Sequence, residues 1–153
     1  MTVAALLAAF LLLLTGGATA SAGPAALDAR ARVEHHLAEA EGIVRHLETV
    51  LREDCPRFTS PEEWRAYLGA EVDRVVLMVA HLEQAWVEAK RTGDDDVRRT
   101  AKAPRKELHQ AEALVDKLQA CADANGASFA PATLWRRIER EVPRRQAEIA
   151  LPE

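Results

Sequence analysis

Ser60-Pro61-Glu62-Glu63-Trp64-Arg65-Ala66-Tyr67-Leu68-Gly69-Ala70-Glu71-Val72-Asp73-Arg74-Val75-Val76-Leu77-Met78-Val79-Ala80-His81-Leu82-Glu83-Gln84-Ala85-Trp86-Val87-Glu88-Ala89-Lys90 decides the fold. Leu68, Val72, Val75, Val79, Leu82, Trp86 and Ala89 recur at intervals of 4, 3, 4, 3, 4 and 3. That spacing keeps one side of a long helix apolar. Ser60 can cap the helix, Pro61 fits its first turn, and Glu63 can close a capping box. Thr92-Gly93-Asp94-Asp95-Asp96 reads as the turn that ends it, with acidic residues placed at the next helix N-terminus.

The same periodicity extends in both directions. Upstream, Val33, Leu37, Ala40, Val44, Leu47 and Leu51 make a second stripe, stopped at Asp54-Cys55-Pro56. Downstream, Val97, Ala101, Pro104, Leu108, Ala111, Val115, Leu118 and Ala122 make a third, stopped at Asn125-Gly126 as by a left-handed cap. The spacing persists through Pro104, so a helix kinked or broken there is expected. A fourth helix opens near Pro131 with Trp135, Ile138, Val142 and Ile149 inward, and Pro143 is expected to bend or end it early. The helices fall at about residues 26–54, 61–91, 96–124 and 131–150. Short connections favour antiparallel neighbours, so the expectation is an all-α, up-down-up-down four-helix bundle.

Residues 1–22 stand apart. They carry no charged side chain, and Val3–Leu14 is a run of 12 apolar residues followed by Gly16-Gly17 and small residues through Ala22. This is the layout of a cleavable signal peptide, with Ala18-Thr19-Ala20 or Ala20-Ser21-Ala22 at the cleavage site. The apolar core falls short of the roughly 20 residues that span a bilayer. Lacking a basic leader, it leaves retention as a membrane anchor as the alternative. Residues 23–153 then form a single domain in a periplasmic or secreted location. In an oxidising compartment Cys55 and Cys121 are expected to pair. The bundle topology brings the ends of helices 1 and 3 to the same side. Closing a 66-residue separation would stabilise the fold by about 4 kcal/mol.

The chain has a formal net charge of −4, which argues against a general nucleic-acid binder. Ser60 and Ser128 both sit at expected caps, and there is no G-x-S-x-G, phosphate-binding glycine loop or haem-attachment motif. A non-catalytic protein is expected. A chorismate-mutase-like helical enzyme would need several inward cations, and the helical phase supplies only Arg65 and Arg145. Helical phase puts His35, His46, His81 and His109 on solvated faces. His36 flanks the seam at a similar height to Met78. A His36/Met78 pair could hold a haem iron, as in bundle cytochromes, or copper or zinc. His36-x-x-Glu39 and His109-x-x-Glu112 could each make a weak surface zinc or copper site.

Two surfaces suggest a partner. Trp135, Arg136, Arg137, Arg140 and Arg144 form a cationic strip, with Trp and Arg the residue types enriched at interface hot spots. The plainer account is salt bridging to the acidic helices 1 and 2. Helix 2 also outreaches helix 4 by about 15 Å at 1.5 Å per residue. The unmatched end should leave an apolar groove at Val33, Trp86, Ala89 and Val97. The expectation is an exported bundle that binds protein, as an accessory or structural subunit of an envelope or extracellular assembly. The alternative is a metal- or haem-binding carrier.

Overall fold

A computed structural model describes residues 28–151, without the side chains of residues 105–107. The expected signal peptide lies outside these residues. The described chain is a helical bundle of five α-helices: α1 (Ala29–Arg52), α2 (Pro61–Thr92), α3 (Asp95–Lys102), α4 (His109–Ala124) and α5 (Pro131–Ile149). Among the described residues no helix is long and apolar enough to cross a membrane.

Local chemistry sets the boundaries. Asp28 accepts the Ala31 N–H at 2.8 Å and starts α1. Ser60 accepts the Glu63 N–H at 3.2 Å, and Glu63 reaches back to the Thr59 N–H at 2.7 Å. The capping box therefore closes one residue earlier than expected. Gly93 ends α2 with φ of 68°, a left-handed conformation that an added side chain would strain. Asp94 at once caps α3 by accepting the Asp96 and Val97 N–H groups. At the end of α4, Ala127 N–H donates to Ala122 C=O and Gly126 N–H to Asp123 C=O, the paired bonds of a Schellman cap.

Pro104 does more than kink the third helix. Its ring and missing N–H stop α3 at Lys102, and a 3₁₀ segment, Ala103–Leu108, carries the chain into α4. Pro143 does less than expected, because α5 runs through it to Ile149.

Polar contacts between helices give their directions. Arg32 meets Glu88, and His46 meets Glu71, so α1 and α2 run antiparallel. Arg137 meets Asp73 and Gln146 meets Gln84, so α5 lies along α2 in the same direction. Helix α2 is central, touched by α1, α3, the 3₁₀ segment and α5. The main core joins Leu47, Val72, Met78, Leu114, Leu118 and Ile138 from four helices.

At one end the Cys55 and Cys121 sulfurs stand at bonding distance, 2.15 Å, with Cα atoms 5.2 Å apart. Asn125 reinforces that join. Its Nδ2 donates to Pro56 C=O at 3.2 Å and to Cys121 C=O at 2.8 Å, and its Oδ1 accepts the Phe58 N–H at 3.1 Å.

Candidate functional site

The break at Pro104 opens a cleft. Helix α3 folds back over the α1–α2 pair, and the chain then turns away through the 3₁₀ segment. Between α1 and residues 99–104 lies a cavity of about 780 Å³. Its apolar lining includes Leu37, Ala40 and Val44 from α1, Leu82 from α2, and Ala103 and Pro104. Its rim is Glu41, Arg45, Glu48, Arg99 and Thr100. The rim charges are held locally, Arg45 on Glu41 at 2.6 Å and Arg99 on Asp96 at 3.0 Å. The volume lies within the range of about 300–1,000 Å³ typical of ligand pockets.

This cleft is not the groove that the sequence pattern suggested. Val33, Ala89 and Val97 are buried against one another and Ala101, with Trp86 packed at their edge. Helix α3 itself supplies the missing wall, because Asp94 turns the chain straight back over the end of α2. Trp86 stays half-buried under Lys90, whose Nζ lies 5.8 Å from the ring centre.

The cationic strip is largely paired. Arg137 bridges Asp73 on α2 at 2.7 Å and Glu141 at 3.0 Å, Arg144 pairs with Glu148, and Arg140 approaches Glu141 at 3.6 Å. Arg136 donates to the Thr133 hydroxyl. Only Arg137 reaches an acidic helix; the other pairs stay within α5. Trp135 packs on the core edge. Arg136, Arg137 and Arg140 edge a depression of about 380 Å³ over Leu68 and Val72.

A second constellation was hidden from the sequence pattern. Among the described residues six polar side chains are buried, namely Arg32, His36, Glu71, His81, Gln84 and Glu88. They line the α1–α2 seam and its flank towards α5. Glu88 is fully enclosed and accepts from Arg32 Nε at 2.9 Å, Gln84 at 2.8 Å and Arg91 at 3.1 Å. Burial pushes the Glu88 carboxyl up, but Arg32, with Arg91 and Gln84, holds it net below its ordinary value. Lower on the seam His46 Nε2 donates to Glu71 at 3.0 Å, and Arg74 donates to the other oxygen at 2.7 Å.

Between these ion pairs lies a histidine pair. His36 and His81 bring their Nδ1 atoms to 3.0 Å, one donating to the other. His36 is fully enclosed, and its Nε2 has no hydrogen-bond partner. Burial, followed by the proximity of His81 and His35, pushes the His36 pKa down to about 4. Burial likewise lowers His81. The solvated-face expectation for His81 is therefore corrected, since α1 covers it. The expected His36/Met78 pair is corrected too. Both are buried, but the ring facing His36 is His81, and Met78 belongs to the apolar core. Arg65, read as inward, is exposed and pairs with Glu62 at 2.7 Å. Half-buried Arg145 pairs with Glu148 at 2.8 Å.

A weak signal marked these residues. Arg32 and His36 stand one turn apart, as do His81, Gln84 and Glu88 in succession, so each set shares a face. That face lies beside the apolar stripe, and a helix packed on several sides buries more than one stripe. Comparison with known proteins adds no relationship, as the chain matches no family model, no curated protein and no solved structure.

Proposed function

We propose that the chain is an exported up-down-up-down four-helix bundle that acts by binding a helical segment of a partner protein. The cleft between α1 and residues 99–104 is the observation that carries this reading. A cavity with an apolar floor and charged edges suits the apolar face of an amphipathic helix. The antiparallel α1–α2 pair, the codirectional α2 and α5, and the join between the ends of α1 and α4 support the bundle topology. The Cys55–Cys121 pairing supports export to an oxidising compartment, with residues 1–22 as the signal. The role is that of an accessory or structural subunit of an envelope or extracellular assembly.

The test places a photoreactive residue at Thr100, which is exposed and lines the cleft, and at Glu139, exposed on α5. In the source cell, Thr100 should cross-link to one protein species and Glu139 should not. Equal labelling from both positions, or none from Thr100, would remove the cleft as the binding surface.

A further inference from the structure

Salt bridging does not account for the arginines over the α5 depression. Its lining carries Arg136, Arg137 and Arg140 and no carboxylate. The rim of the cleft between α1 and residues 99–104 mixes both signs instead. Arg137 is matched by Asp73 and Glu141, and Arg140 comes only within 3.6 Å of the same Glu141. Among the described residues Arg136 meets no carboxylate, and its guanidinium donates to the Thr133 hydroxyl at 3.2 Å. Three guanidinium groups thus share two carboxylates, both engaged by Arg137. Arg136 and Arg140 stand one turn apart, exposed and on one face, with charge to spare.

Below these cations the surface is apolar. Val72 and Leu134 are buried in the floor, and Leu68 and Phe129 are half-buried there. A second cavity, of about 450 Å³, lies between Phe58, Trp64 and residues 125–128. Leu68 and Ser128 line both cavities, so the two run into each other. Arg65, at the edge of the second, is already paired with Glu62 at 2.7 Å. The joined cavities make a trough with unmatched cations at one end and Phe58 and Trp64 at the other.

We propose that this trough binds a fatty-acid anion, with its carboxylate on Arg136 and Arg140 and its chain laid over Leu68 toward Trp64 and Phe58. Guanidinium groups pair with carboxylates through two parallel hydrogen bonds, and one unmatched cation suits a monoanion. An acidic peptide would also bring backbone N–H and C=O groups that need partners, and an apolar floor supplies few. A hydrocarbon chain needs none, and its burial is favourable in itself. The trough shares no lining residue with the cleft and stands or falls without it.

The test is a calorimetric titration of the full chain with dodecanoate, kept below its micellar concentration. One dodecanoate per chain should bind. Dodecanol, which lacks the charge, should bind more weakly by on the order of tenfold or more. Arg136→Ala with Arg140→Ala, both at exposed positions, should weaken dodecanoate by a similar factor while circular dichroism still reports a folded helical protein. Arg144→Ala, exposed on α5 but outside the trough, should leave binding unchanged. Dodecanoate brominated at its far end should quench the fluorescence of Trp86→Phe with Trp135→Phe, in which Trp64 is the only tryptophan. The proposal is overturned if dodecanoate does not bind, if dodecanol binds as tightly, or if the double arginine variant binds as tightly as the parent. Absence of quenching at Trp64 would also overturn it, as would an oligoglutamate peptide that binds more tightly than dodecanoate.

Discussion

Removing the Glu88 carboxylate should be among the most damaging single changes in the protein. Glu88→Ala removes the carboxylate that buried Arg32 meets at 2.9 Å and that accepts from Gln84 and Arg91 at 2.8 and 3.1 Å. Breaking a buried ion pair from one side costs about 3–5 kcal/mol. Domains of this kind hold about 5–15 kcal/mol in total. With a urea dependence of about 2 kcal/mol per M, the unfolding midpoint should fall by about 2 M. Arg32→Met combined with Glu88→Leu removes both charges and fills the space. That double variant should return to within about 1 kcal/mol of the parent. Urea titrations of the parent, Arg32→Met, Glu88→Leu and the double variant, followed by circular dichroism, complete the cycle. A loss below about 1 kcal/mol for Glu88→Ala would mean that water reaches the pair. A double variant as unstable as the sum of its singles would mean that the two residues do not interact.

Other consequences can be measured separately. Because the folded pKa of His36 is depressed to about 4 from an ordinary value near 6.5, its neutral form is the one that the fold favours. Its contribution is fully present above pH about 6.5 and is lost as pH falls toward 4, amounting to about 3 kcal/mol. His36→Leu should flatten that part of the stability profile, and an unchanged profile would refute the assignment. Replacing Cys55 and Cys121 by serine should cost about 4 kcal/mol in thermal or urea unfolding, and a loss under about 1 kcal/mol would count against the cross-link. Asn125→Ala should cost about 1–3 kcal/mol, since the Phe58 N–H and two carbonyls lose their partner, and hydrogen exchange should rise first at residues 56–58.

The apolar stripes of the helices were legible because a 3–4 spacing reports one buried face. Val72, Val75, Leu82 and Ala89 are buried as that spacing requires, as are Ala111, Leu118 and Ala122. The Cys55–Cys121 join was legible because the stops at Cys55-Pro56 and Asn125-Gly126 put both cysteines at helix ends. What one stripe cannot report is a helix covered on several sides. Helix α2 buries Glu71, His81, Gln84 and Glu88 beside its apolar stripe, because α1 and α5 cover that flank. Polar residues other than His36 read as solvated by default, so the rest of the seam network was missed. The expected groove at Val33, Ala89 and Val97 is filled for a related reason. The spacing allows either a kink or a break at Pro104; the break makes Val97 and Ala101 part of a short helix, bounded by Asp94 and Pro104, that folds back over Val33 and Ala89.

We propose that the α1–α3 cleft, rather than the α5 arginine strip, holds the partner. The affinity of the protein cross-linked at Thr100, measured against purified variants, tests it most directly. Thr100→Glu places a charge beside the apolar floor at an exposed position and should weaken binding by about tenfold or more, a change of about 1.4 kcal/mol. Arg140→Ala should change it less than about twofold. The opposite order, with Arg140→Ala damaging and Thr100→Glu silent, would move the binding surface to α5 and contradict the account.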